Sequence, residues 1–502
     1  MRSLGMLAAV ALLVLAGCFQ SPAPRTDYAR VQTELETAAS PALRLDHDDP
    51  AGHSKAALHK GAYNLELVGY SNGVDDSGDP DHIPATAFWN ELLVTQTHTY
   101  LAAESRSGAY GGFSILDTTD KAHPRVLSHF DAQNAFDIEV SGDETLAFMA
   151  SQRNSVEQVA AGIQANQDPQ SDLPRGIYIV DIADKRAPRL DSFVPLPVNG
   201  PHTLTYYRHP NGSEYLLVCT YDLMTDPGTG AITGAVPATQ RMVVYLVSPN
   251  PLYGQVPGIQ TGPRVGLTPV AQYQILDPGY PGLVFPHDSR VAVDPADPAK
   301  VYITLAYWDK GLRILDFSDP PAPPAPGGIP DPARTPMLRE VGAFTDFSPS
   351  AYNNIHLARR LLVAGTPVTI TEPEIIDASD ETGQITFLDT TDVSRPSRIS
   401  NWTLPAQDPP LGVRDLDFSP HNFDVWDGKV ALAHYHAGLW VIDVHDRENL
   451  ESPKSVAFYM PSMPRADSPV LQPDVWGVQQ QGGYLFVSDE ATGLHILRYT
   501  GP

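Results

Sequence analysis

Four histidines stand in related settings along the chain: Pro201-His202-Thr203, Pro286-His287-Asp288, Asn354-Ile355-His356 and Pro420-His421-Asn422. At comparable places elsewhere stand Asp137 and Asp474, and not far away lie Glu104, Tyr307 with Asp309, His434 with His436, and Asp489 with Glu490. Neutral imidazole nitrogens gathered with carboxylates are the donor set of a borderline ion such as zinc, copper or iron. That makes His202, His287, His356, His421, His434 and His436 candidate ligands of a transition metal ion. Tyr307, Asp309 and Asp489 are candidate contacts for a bound molecule, Tyr307 by stacking beside Trp308. His421 with His434 or His436 is the pair of most interest, because neighbouring strands of one unit would carry both. The competing reading is structural: a histidine at a fixed place in a repeated unit bonds a neighbouring backbone through its ring nitrogens. No residue is assigned a catalytic role.

Residues this far apart in sequence converge only in a repetitive fold, and the chain carries a repeat. It reads GFSILDTTDKAHP at 112–124, GIYIVDIADKRAP at 176–188, GLRILDFSDPPAP at 311–323, GQITFLDTTDVSRP at 383–396, GLWVIDVHDRENLESP at 438–453 and GLHILRYTGP at 493–502. A degenerate copy, Met242 to Val247, fills the double-length interval. Extending the sixth unit both ways gives four strands: one from Asn422 to Val425, then Lys429 to Ala433, Gly438 to Val444 and Ser455 to Met460, with Asp427-Gly428 at the first turn. Seven such units make a ring. The last unit ends after its third strand, and the stretch Leu65 to Tyr70, similar to Leu338 to Phe344, precedes the first. An N-terminal strand that completes the last unit removes two exposed sheet edges. The expected fold is all-β: a seven-bladed β-propeller of four-stranded antiparallel blades, its last blade closed by an N-terminal strand. The aspartates of the phrase, Asp117, Asp181, Asp316, Asp389 and Asp443, follow the third strand and are expected to anchor the turn into the fourth.

The phrase Gly311 to Pro320 resembles the LVIVD repeat of secreted and surface-attached bacterial and archaeal propeller proteins. The stretches His421 to Leu439 and Asp474 to Asp489 resemble the penultimate and last blades of that family. The resemblance covers nearly all of 61–502 and implies the propeller fold; the family has no settled general activity. Insertions near Ser155 to Pro174, Leu223 to Gln240, Pro320 to Pro336 and Thr369 to Glu381 depart from its pattern, and long inserts on a rigid scaffold are where specificity usually resides.

The N-terminus concerns address. Arg2, an apolar run from Leu4 to Leu15, and Leu15-Ala16-Gly17-Cys18 make a secretory signal too short to span a bilayer. Its ending resembles the lipobox of bacterial lipoproteins, which implies lipidation at Cys18 and attachment to a membrane, with the residue after Cys18 compatible with an outer membrane. Residues 1–18 are thus read as a lipoprotein signal peptide, 19–60 as a flexible tether with a short helix near Tyr28 to Ala39, and 61–502 as the propeller. Asp46-His47-Asp48-Asp49 lies in the tether and reads as a solvated acidic stretch. With Cys18 consumed by lipid, Cys219 is left as a buried thiol, so no disulfide scaffold exists. A formal net charge of -26 argues against nucleic acid as a partner. These features fit an exported binding or scaffolding module of the cell envelope that meets another envelope protein, a polysaccharide or a small molecule. The alternative is a metal-dependent oxidoreductase or lyase built on the histidines.

Overall fold

The computed structural model describes residues 26–43, 61–77, 87–105, 111–132, 135–152, 175–196, 200–220, 223–225, 232–235, 240–250, 263–277, 279–280, 282–323, 334–347, 353–374, 384–405, 419–461 and 473–502. Cys18 and Asp46 to Asp49 lie outside them, as do most of the insert residues.

Each repeat forms a sheet of four antiparallel strands, and seven such blades form the expected propeller. Blade 1 runs Ala87–Val94, His98–Ser105, Gly112–Asp117 and Arg125–Asp131, from inner to outer strand. Blade 3 contains the degenerate copy as its third strand, Arg241–Pro249. Leu65–Ser71 pairs with Gly493–Tyr499 and supplies the outer strand of blade 7, so the N-terminal strand closes the ring. A further strand, Gly61–Tyr63, adds a fifth member to blade 6. Among the described residues no helix is long and apolar enough to cross a membrane.

Polar contacts stitch each blade to the next. Asn90 Nδ2 donates to Ala135 O (3.1 Å), Leu204 N to Asp137 Oδ2 (2.6 Å) and Thr205 Oγ1 to Ser289 O (2.6 Å). Thr304 Oγ1 donates to Ala358 O (2.7 Å), Arg359 bonds Asp424, Gln480 N donates to Asp424 Oδ2 (2.7 Å), and Val94 N to Gln479 Oε1 (2.7 Å). This circuit runs from blade 1 through blade 7 and back. The apolar core lies between the blades; Phe148, Leu216 and Val243, for example, join blades 2 and 3.

The aspartates of the phrase do what their position implied. Each accepts the N–H two residues on: Thr119 to Asp117 (3.0 Å), Ala183 to Asp181 (3.0 Å), Ser318 to Asp316 (3.0 Å), Thr391 to Asp389 (2.9 Å) and His445 to Asp443 (3.0 Å). That side-chain bond organises the turn to the outer strand.

Within the stretch read as a tether, Tyr28–Leu43 is an α-helix longer than the one expected there. Val31, Leu35 and Ala39, spaced four apart and therefore on one face, are buried against blade 6 and its fifth strand. Tyr28 Oη donates to Asp443 Oδ2 (2.6 Å), and Gln32 bonds Ser455 O.

Candidate functional site

Six rings, one from each blade between 2 and 7, form an arc at the start of the inner strands. Successive centroid separations are 5.7 Å from Phe136 to His202, 4.4 Å to His287, 4.0 Å to His356, 4.2 Å to His421 and 4.2 Å to Trp476. The backbone explains the alignment. In blades 2, 3, 5 and 7 the pairing of inner with second strand slips by one residue, and the residue skipped is Phe136, His202, His356 or Trp476. A bulge of this kind bends the strand and re-aims a side chain. In blades 4 and 6 the ring sits just before the strand, with His287 N donating to Ala306 O (2.8 Å) and His421 N to Ala433 O (3.0 Å).

The histidines hold their outer nitrogens in similar ways. His202 Nδ1 lies 2.9 Å from Gln152 Oε1, His356 Nδ1 2.6 Å from Glu372 Oε1, and His421 Nδ1 2.8 Å from Trp476 O. A carbonyl oxygen only accepts, so His421 Nδ1 carries the proton and Nε2 the lone pair. His202 Nε2 and His287 Nε2 approach to 2.8 Å, and His356 Nε2 is 4.0 Å from Glu374 Oε2. Tyr435 Oη donates to Glu374. Trp308 stacks on His287, and Tyr435 packs on His421, both at 5.1 Å. Trp308, Asn354 and Tyr435 have positive φ of 38°, 47° and 32°, a conformation that costs on the order of 1–3 kcal/mol where the residue is not glycine. Antiparallel bridges from Trp308 to Ile355 and from Tyr435 to Val475 hold two of them in place.

Burial governs the ionisation of the cluster. It pulls His202 and His421 down to about 3 and holds His287 and His356 well below the usual imidazole range, so all four are neutral near pH 7. Burial and the neighbouring Glu374 charge push Glu372 well above the ordinary carboxylate range, and its Oε2 has no hydrogen-bond partner among the described residues.

One to five residues further along the same inner strands is a cavity of about 490 Å³ on the propeller axis, lined from all seven blades and including Glu91, Glu139, Thr205, Arg290, Arg359, Asn422 and Gln479. Asn422 Nδ2 reaches across blade 7 to Glu91. Burial lifts Glu91 to about 8, helped by Asp137, and Asp288 to about 7 against the pull of Arg290. Burial opposes the charge on Arg290, but Asp288 at 2.6 Å, Glu139, Asp137 and Glu91 outweigh it.

Of the six histidines proposed as ligands, the structure brings together His202, His287, His356 and His421. His434 is fully buried beside Trp402 in the apolar layer between blades 5 and 6, and neither ring nitrogen has a hydrogen-bond partner among the described residues. His436 Nε2 lies 3.9 Å from Asp474 Oδ2 and is not in the metal-competent group of His287, His356 and Glu374. Tyr307, expected at a ligand, is instead sealed in the core between blades 3 and 4, where its hydroxyl accepts from Ile275 N (2.8 Å). Asp309 Oδ2 accepts from Leu283 N (2.6 Å), and Asp489 caps Asp474 N and Thr492 N, so both carboxylates organise turns. Asp137 and Asp474 are not at the histidine position of their blades; Phe136 and Trp476 are. Sequence reasoning missed Glu372 and Glu374. It placed an insert over Thr369 to Glu381, whereas Thr366–Pro373 is the second strand of blade 5 and the carboxylates sit at its end. Its signal was position, the same end of second strand that carries Glu104 and Tyr307.

No curated protein sequence matches the chain. Among solved structures, a functionally unknown protein from Desulfotomaculum acetoxidans aligns with 11% identity and a TM-score of 0.38, covering 76% of this chain and 86% of its own. A catalytically inactive variant of virginiamycin B lyase from Staphylococcus aureus, solved with quinupristin, aligns with 10% identity and a TM-score of 0.42, covering 86% of this chain and 98% of its own. The family model of the LVIVD repeat matches residues 301–325, which span the second strand of blade 4, its phrase and the turn that follows. The chain is a seven-bladed β-propeller bearing an LVIVD repeat.

Proposed function

We propose that this propeller is an exported binding module, anchored by lipid at Cys18 to the cell envelope, which takes a small polar ligand at the histidine-bearing end of its channel. The LVIVD repeat on a rigid ring supports a binding or scaffolding role. One observation carries the location: six rings from six consecutive blades gather at one end of the axis, four of them aimed there by backbone bulges, and three non-glycine residues beside them are held at positive φ. Strain and bulges concentrated where rings and carboxylates meet favour a site over packing alone. Neutral imidazoles, Glu374 and the rings of Tyr435 and Trp476 offer donors, acceptors and stacking surface to a sugar or small metabolite.

Two experiments test this. Cells fed an alkyne fatty acid should label the full chain, and Cys18→Ser should abolish the label; an unlabelled wild type overturns the anchor. A thermal-shift screen of oligosaccharides and small metabolites against the mature chain should yield a compound whose shift disappears in Trp476→Ala. Failure of every compound, or shifts unchanged in that variant, overturns the site.

A further inference from the structure

We propose that the histidine end of the channel holds a divalent first-row transition-metal ion, with His287, His356 and Glu374 as its ligands and Glu372 as the positioning residue behind His356. This rests on the location argued above and adds the chemistry of the occupant. One potential ligand atom from each of His287, His356 and Glu374 lies within 4.8 Å of the other two, and among the described residues no other set of three His, Cys, Asp or Glu residues meets that condition. At about 2 Å per bond, donors around one ion sit roughly 3 to 4 Å apart, so the set closes on an ion by small side-chain movements. His202 Nε2, 2.8 Å from His287 Nε2, is the adjacent further donor.

Three features separate this arrangement from histidines that merely join blades. The first is orientation. His356 spends Nδ1 on Glu372, and Nε2 faces Glu374. A carboxylate behind the far nitrogen of a ligating histidine fixes the ring and raises its basicity. His202 and His421 likewise spend Nδ1 on Gln152 Oε1 and Trp476 O. The second is charge. The charge of Glu374 acts on fully buried Glu372, one oxygen of which has no hydrogen-bond partner among the described residues. Two carboxylates that raise one another's cost of ionisation gain from a divalent cation, and one placed between the imidazoles and Glu374 offsets that repulsion. The third is donor type. Two imidazoles with one carboxylate favour zinc or iron(II) over calcium and magnesium, which prefer all-oxygen shells. The walls of Trp308 and Tyr435 confine the remaining coordination position, where the small ligand proposed above would bind.

The test uses the mature chain purified without a polyhistidine tag, stripped with EDTA and titrated with zinc sulfate by calorimetry and with cobalt chloride by visible absorption. A single saturable ion per chain is expected, with cobalt bands characteristic of a nitrogen and oxygen shell. Glu374→Gln and His356→Ala should abolish saturable binding. Glu372→Gln should retain the stoichiometry and weaken affinity by about 10–100-fold. His436→Ala should bind as the wild type does. Glu374→Gln is close to isosteric, and circular dichroism establishes that each variant keeps its β-sheet signal. Absence of saturable binding, wild-type binding in Glu374→Gln, or equal loss in His436→Ala overturns the assignment. Should metal fail while an organic compound still shifts the melt through Trp476, the metal falls and the binding module stands; the reverse result removes the organic ligand alone.

Discussion

His356 Nδ1 and Glu372 Oε1 lie 2.6 Å apart, both fully enclosed, on paired strands of blade 5. The pairing slips between Ile355 and Leu357, so His356 is the extra residue of a bulge and turns toward the channel end while staying bonded to Glu372. Removing one partner strands the other. His356→Leu leaves Glu372 buried without its bond and is expected to cost about 1–3 kcal/mol. Replacing both, in His356→Leu with Glu372→Leu, should recover part of that loss, giving a coupling of about 1–3 kcal/mol in a double-mutant cycle. Urea denaturation of the metal-stripped chain measures it; additive costs would show that the pair does not act as a unit.

The ring and its closure were legible because each rests on local chemistry. The phrase repeats, Asp117, Asp181, Asp316, Asp389 and Asp443 each bond two residues onward, and the likeness of 65–70 to 338–344, centred on a shared Val-Gly, identified the closing strand. The site was legible only where residue type repeated. His202, His287, His356 and His421 could be lined up, but the same blade position is Phe136 in blade 2 and Trp476 in blade 7, where type changes and only the bulge persists. His434 misled through proximity, since a residue just past the end of a second strand can face the preceding blade, as His434 faces Trp402 of blade 5. Glu372 was hidden by a segment that reads as an insert and folds as a strand.

The Val-Gly shared by the two strands has a physical cause that can be tested. A Cβ on Gly342 would lie 1.7 Å from Val393 O, in the turn of blade 5, and one on Gly69 would lie 2.0 Å from Lys121 O, in the turn of blade 1. Each glycine lets an outer strand touch its neighbour blade's backbone. Gly342→Ala should therefore destabilise by about 1–3 kcal/mol or more. Gly266→Ala, in the outer strand of blade 3 with nothing within 4 Å, should be neutral or stabilising by up to about 1 kcal/mol. Thermal melts of the two variants check the contrast; equal shifts would remove the close-approach explanation.

The helix Tyr28–Leu43 ties the N-terminal segment to blade 6 rather than leaving it independent of the ring. Tyr28 donates to Asp443, which also anchors its own turn, and Asn449 Nδ2 donates to Tyr28 Oη (2.8 Å). Tyr28→Phe keeps the ring and deletes a bond to a carboxylate, worth about 1.5–3 kcal/mol. Hydrogen exchange over residues 28–43 should accelerate by roughly 10–100-fold, as that free energy implies, while blades 1 to 4 are unaffected. Unchanged exchange would mean that Val31, Leu35 and Ala39 alone hold the helix.

Glu91 gives the fold a pH dependence with a definite sign. Burial and the nearby Asp137 raise its carboxyl to about 8 in the folded chain, against an ordinary value near 4.3 when unfolded. Between those values the native state binds more protons than the unfolded one, so stability falls as pH rises. Its contribution is fully present below about pH 4 and lost as pH climbs through about 8. One fully linked proton changes stability by about 1.4 kcal/mol per pH unit. Glu91 lines the axial cavity and keeps some contact with water, so the observed slope should be smaller. Glu91→Gln, which keeps an acceptor for Asn422 and removes the charge, should flatten the decline between pH 5 and 8. Urea midpoints of the EDTA-treated wild type and variant across that range measure the effect; parallel curves would show that Glu91 titrates alike in both states, leaving Asp288, raised to about 7, as the group to examine.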